Sequence, residues 1–220
     1  MNKETWDLWK ASWQTILYVA KKRNWDIIND LVIEPPVNQS IVDKTLKELN
    51  ISLPTDFIDV ITNYSSGVKF YFQIKGKHEG DYRQIFQAGY EGLWSFEDLK
   101  NLKEQHTDWI KDCFDDPTDE YGKVWYNKTP FIRVGNGDFI AFDTTTPGNE
   151  YPVVYLSHDD GNLHGKRLGY NFVDFITRWS NIGCFGPEDW QLEPFYDSKE
   201  NIVLMEGYKV ENWKKWLTSE

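Results

Sequence analysis

Four histidines and two cysteines are the residues to which catalytic or metal chemistry would fall first. His106 sits in the series Leu99, Leu102, His106, Trp109, Cys113, whose steps alternate three and four. That spacing predicts a helix with a core histidine on its buried stripe. His158 and His164 bracket Asp159-Asp160-Gly161-Asn162-Leu163. A metal site there, such as that of a metal-dependent hydrolase, would need Asp138 or Asp143 to converge on them. The spacing crosses a predicted turn and matches no helical ligand pair, so turn chemistry is the favoured reading. Cys113 and Cys184 fit no redox or metal spacing and read as buried reduced thiols. Gly135-Asn136-Gly137-Asp138 lacks the Gly-Lys-Ser/Thr ending of a phosphate loop and is followed by a strand. It predicts a hairpin closed by a type I′ turn. No Gly-x-Ser-x-Gly elbow occurs, and Ser157 and His158 are neighbours on a strand end, where side chains diverge. The expectation is a non-enzymatic protein with no catalytic residue, metal or cofactor.

Charge is more informative. The 220 residues hold 24 Lys+Arg against 35 Asp+Glu, a formal charge of −11, with 40% hydrophobic residues and 11 tryptophans. Such a chain can bury a core, and its acidity argues against a nucleic-acid partner. The first 37 residues carry five bases and five acids, whereas Asp112–Gly165 carries ten acids and three bases. Asp115, Asp116, Asp119 and Glu120 fall within six residues, beside Tyr121, Trp125 and Tyr126. A solvated loop is the bland account of such a run. The functional account is an acidic docking patch with aromatic anchors for a basic protein surface. No secretory leader and no apolar run long enough for a membrane helix is visible, so a cytoplasmic, non-membrane protein is expected.

Elements must position these residues. Trp6, Trp9, Trp13, Ile16, Leu17 and Ala20 predict an amphipathic helix over Thr5–Arg23, and Pro35-Pro36 marks a linker. Packing of the Trp stripe into the protein's own core is favoured, with a homodimer as the alternative. Val42, Leu46 and Leu49 give a short helix ending at Asn50. Pro54 opens another through Phe57, Val60, Ile61 and Tyr64, and Val68–Ile74 reads as a strand. Ser95 is the expected N-cap of the helix carrying His106, with Trp94 stapled against Leu99. Strands follow at Phe131–Val134, Phe139–Phe142 and Val153–Leu156, and Asn171 caps a helix bearing Phe172, Phe175, Ile176 and Trp179.

Three stretches occur in order: Ile51-Ser52-Leu53-Pro54-Thr55-Asp56-Phe57, Gly135–Asp143 and Val153–Asp159. Together with Leu168–Phe175 they resemble the SMI1/KNR4 (SUKH) superfamily. The resemblance implies an α+β domain over about 38–190, with helices on a central, mostly antiparallel or mixed sheet. Residues 1–37 would add the amphipathic helix and linker, and 191–220 a tail packed on the domain. It also implies no catalytic residues. Its bacterial members are mostly immunity proteins that neutralise toxin domains, often nucleases, and its eukaryotic relatives regulate cell-wall synthesis as non-enzymatic scaffolds. The sequence therefore predicts an immunity protein whose partner is a cognate basic toxin domain. The predicted contacts are Asp115, Asp116, Asp119, Glu120, Glu150, Asp159 and Asp160, with Trp125, Tyr126 and Tyr151 as anchors. A scaffold or regulator is the alternative, and a hydrolase around His158 and His164 the more distant one.

Overall fold

Alternating burial decides the sheets. In the computed structural model, which describes residues 1–75, 85–90 and 92–219, β5 (Lys128–Arg133), β6 (Phe139–Asp143), β7 (Val153–Leu156) and β8 (Arg167–Gly169) pair in sequential order as an antiparallel sheet. Successive side chains of a strand point to opposite faces. Ile140, Phe142, Val153 and Tyr155 accordingly join the main core, while Phe139, Ala141, Val154 and Leu156 join a second cluster with Leu102 and Trp125. Both faces of this sheet are covered, which explains why β6 and β7 are almost wholly apolar.

A second antiparallel sheet places β2 (Gly67–Gln73) between β1 (Asp26–Ile33) on one side and the short β3 (Gln87–Ala88) and β4 (Trp94–Ser95) on the other. The helices are α1 (Lys3–Lys22), α2 (Gln39–Leu49), α3 (Thr55–Asn63), α4 (Leu99–Cys113), α5 (Phe172–Asn181), the single turn α6 (Asp189–Leu192) and α7 (Tyr208–Thr218). A hairpin of β9 (Tyr196–Asp197) and β10 (Ile202–Val203) precedes α7. The fold is α+β, with its strand ladders antiparallel and divided between two four-stranded sheets and the two-stranded β9–β10 hairpin.

All six residues of the predicted α1 stripe are buried. Trp9 packs on Phe172 and Trp94, and its indole donates to Thr177 Oγ1 at 2.9 Å. Trp13 is fully buried and donates to Ser180 Oγ at 2.9 Å. The stripe faces inward. At the other terminus, Trp213 of α7 lies in the same core and donates to the Ile182 carbonyl at 3.0 Å. Arg23, just past α1, donates to the Trp216 carbonyl and places its guanidinium within cation–π reach of Trp25 and Trp216, which stack on each other.

Five expectations change. The stretch read as a linker contains β1, and the prolines are stitched in: Glu34 N–H donates to the Gly67 carbonyl and Ser66 N–H to that of Pro35. Ser95 does not cap α4, because it pairs with Gly67 in β4; Asp98 takes the cap position. Trp94 turns to Trp9 and Trp13 in place of stapling Leu99. The 134–138 turn is closed by Gly137 N–H donating to the Val134 carbonyl at 3.0 Å. Within it only Gly137 has positive φ, 104°, whereas a type I′ turn needs two such residues. Cys113, at the end of the α4 stripe, is exposed, while Cys184 is fully buried.

Candidate functional site

The acidic loops are brought together by aromatic and histidine side chains. After α4 the chain runs through Asp115–Glu120 into a 3-10 turn, Gly122–Trp125, before entering β5. After β7 it makes the loop Ser157–Leu163. Tyr121 joins the two: its hydroxyl donates to the Ser157 carbonyl at 2.7 Å and accepts from Asp160 N–H at 2.9 Å. His164 stacks on Tyr121 with ring centroids 3.8 Å apart. Its Nδ1 accepts from Ser157 N–H at 3.0 Å and its Nε2 donates to the Tyr121 carbonyl at 3.1 Å. Burial holds His164 below the ordinary imidazole value, consistent with this neutral, doubly engaged ring.

Beneath that face lies Asp138, a fully buried carboxylate. Its Oδ1 accepts from the backbone N–H and the Nδ1 of His158, at 2.9 and 2.6 Å. Its Oδ2 accepts from Asn136 Nδ2 and the Tyr155 hydroxyl, both at 2.8 Å. Four donors on one carboxylate satisfy what burial would otherwise penalise. Tyr155 in turn accepts from Asp189 N–H at 3.0 Å, tying the start of α6 to the sheet. Gly161 allows the same close packing: a Cβ there would lie 2.5 Å from Asp189 Oδ2 and 2.6 Å from Ser157 Oγ.

The individual carboxylates differ in what they do. Asp116 accepts from the amide and hydroxyl of Thr118, and these bonds hold its carboxyl below the usual range. Asp119 Oδ2 accepts from the Tyr121 and Gly122 amides. Glu120 pairs with Lys123. Asp159 accepts from Ser157 Oγ at 3.0 Å. Asp115, Asp116, Asp119, Glu120, Asp159 and Asp160 are all exposed, so the turns they build present their charge to solvent.

Two groups of predicted contacts part from this face. Trp125 is 0% exposed, stacked on Phe114 at 4.7 Å inside the second core cluster. It is a core residue in place of a contact anchor, because α4 and the sheet enclose it. Glu150 and Tyr151 precede β7 at the end opposite Ser157, and Tyr151 is half-buried against the main core. The four residues of β7 alone span roughly 13 Å, so these two do not converge with the acidic loops. Tyr126 is half-buried, its hydroxyl donating to the Phe114 carbonyl at 2.8 Å.

Sequence reasoning missed the contribution of the C-terminal segment. Burial and then the carboxylates of Asp138, Asp189 and Asp159 push the Glu188 carboxyl up, the Trp190 indole opposing them. Asp189 is raised by burial and by Asp138 and Glu193. Glu193 accepts from Asn162 Nδ2 at 2.5 Å. No local pattern around residues 188–193 signals this proximity to residues 138 and 159.

The constellation His158, His164 and Asp143 does not assemble. Both ring nitrogens of His164 are engaged, and Asp143 lies at the far end of β6, paired with Lys128 at 3.1 Å. Asp138, His158 and Asp159 do offer ligand atoms within 4.8 Å of one another. The Asp138 carboxylate, however, already serves the four donors described above.

Fold and site define an acidic α+β domain with six exposed carboxylates on two loops joined by Tyr121 and His164 beside a doubly covered sheet. The chain matches the model of the SMI1 / KNR4 family (SUKH-1) over residues 36–178 and belongs to that family. No match is found among curated proteins or among solved structures. Among the described residues, no helix is long and apolar enough to cross a membrane.

Proposed function

We propose that this protein is an immunity protein, which binds a cognate basic toxin domain of nuclease type and neutralises it by covering it, with no chemistry of its own. One observation carries the reading: Tyr121 and His164 lock the 115–120 and 157–161 loops into one face, on which six exposed carboxylates converge. Membership of the SMI1/KNR4 family supports it. Exposed charge on a rigid scaffold accelerates encounter with an oppositely charged partner, and a preorganised surface binds with less ordering cost.

Asp115 and Glu120 are the positions to reverse. Asp116 and Asp119 shape the loop through their amide contacts, whereas among the described residues no such contact falls to Asp115 and Glu120 pairs with Lys123 alone. The test is association kinetics with a toxin domain taken from the genes neighbouring this one. Asp115→Lys with Glu120→Lys should slow association by about tenfold at low salt, with an unchanged melting temperature. An unchanged rate and salt dependence would exclude this face as the interface. Failure of the wild-type protein to bind any neighbouring toxin, with binding to several unrelated proteins, would instead favour the scaffold reading.

A further inference from the structure

A polar cavity of about 280 Å³ lies at the other end of the β5–β8 sheet from the acidic face. It is a half-open pocket bordered by the α2–α3 connection, α4, and the neighbouring ends of β5 and β6, with Ser52, Lys103, His106, Asn127, Lys128 and Thr129 in its wall. The size is close to the lower bound for small-molecule sites. In a chain with 35 acids, no Asp or Glu among the described residues lines it.

Its polar groups are sorted by role. Lys128 has a side chain only 8% exposed and is balanced by Asp143. Lys103 donates to the Leu49 carbonyl at the end of α2 and, among the described residues, has no carboxylate partner, so it leaves one positive charge on the wall. His106 is 6% exposed. Its Nε2 donates to the Trp125 carbonyl at 2.9 Å, which fixes Nδ1 as an unprotonated acceptor with no hydrogen bond to the described residues. Burial keeps that ring neutral at pH 7.

We propose that this cavity binds a small hydroxylated monocarboxylate, the size of a single sugar acid, with Lys103 holding the carboxylate and His106 Nδ1 accepting from a ligand hydroxyl. A single charge is favoured because α2 ends here, and its terminal carbonyls oppose a second negative charge. Among the described residues, no guanidinium lines the wall to grip a phosphate bidentately. Thr129 and Asn127 supply further polar groups for hydroxyl recognition.

The site is distinct from the proposed docking face, so it is tested on the full-length protein alone. D-glucuronate and D-gluconate are titrated separately into isotopically labelled protein, with the His106 ring and the Thr107 and Thr129 amides observed by NMR. At least one sugar acid should shift these signals saturably, while glucose and inorganic phosphate at equal concentration should not. Lys103→Gln should weaken binding by about tenfold. Because that change also removes the α2 contact, Ser52→Phe provides a second variant. Ser52 is an exposed wall residue, and a ring there should abolish the shifts with an unchanged melting temperature. No saturable shift with either sugar acid, equal shifts with glucose or phosphate, or binding that survives Ser52→Phe would overturn the assignment.

Discussion

His106 shows how one side chain couples the core to solution pH. Burial depresses its protonation from the ordinary 6.5 to about 4, with the Trp125 carbonyl contact opposing the shift. The unfolded chain therefore binds a proton that the folded chain refuses. Stability from this group is complete above about 6.5 and is lost as pH falls towards about 4, by about 3 kcal/mol over the window. Asp56, Glu188 and Asp189 act in the opposite sense, since their carboxyls are raised by burial and are protonated more readily when folded. The contribution of His106 is thus isolated by comparison: His106→Phe should have a shallower loss of melting temperature between pH 6.5 and 4 than the wild type. Equal slopes would show that the imidazole is not the group responsible. The two thiols make a second pair of opposites. Cys184 is fully buried and its thiol is pushed up to about 12, whereas Cys113 is exposed. A thiol reagent at pH 8 should modify one cysteine in the native protein and the second only on unfolding. Native modification of both, read by mass spectrometry, would contradict the burial of Cys184.

At the scale of elements, α1 is structural. Its tryptophans close over Trp94, Phe172, Thr177 and Ser180, and the strand that follows pairs along β2. Removing residues 1–36 would uncover this aromatic surface and strip β2 of its partner on one side, β1, and the truncated protein should aggregate in light scattering. A clean dimer-to-monomer change would mean that the stripe serves association between copies instead. The single substitution Trp13→Ala should cost about 3–5 kcal/mol, through lost burial and an orphaned Ser180 contact. The family match begins only at residue 36, yet the first helix and strand are built into the same core as the matched segment. The acidic face depends on elements in the same way: without Tyr121 and His164 across it, the 115–120 run would be a separate solvated loop.

Over the whole molecule, charge is divided by position. Within a formal charge of −11, exposed carboxylates of 115–120 and 157–161 share one face, and the half-buried Glu188 and Glu193 approach it from 188–193. The acid-free cavity lies at the other end of the same sheet. A field concentrated on one end acts on encounter rates over about 8–10 Å at ordinary ionic strength and fades at high salt. The rate difference between the wild type and the Asp115→Lys, Glu120→Lys variant should accordingly shrink as salt is raised. A difference independent of salt would point to lost contacts in place of lost steering.

Periodicity along the chain was sufficient to determine the buried stripe of α1, the core position of His106, the β5–β6 hairpin, β7, and the Asn171 cap, whose side chain accepts from Asp174 N–H at 2.8 Å. These are local: each rests on spacing within one helix or one strand pair. The family was also legible, because its short motifs recur in order. Tertiary structure alone decided the rest. Ser95 is a plausible cap until β2 claims its backbone, and Trp125 looks like an anchor until α4 encloses it. Glu150 neighbours the acidic run in composition but leaves by the other end of the sheet, while Glu188 and Glu193, distant in sequence, arrive beside it. Which charges share a face depends on strand direction and chain return. Those are set by long-range pairing and burial, which no local spacing encodes.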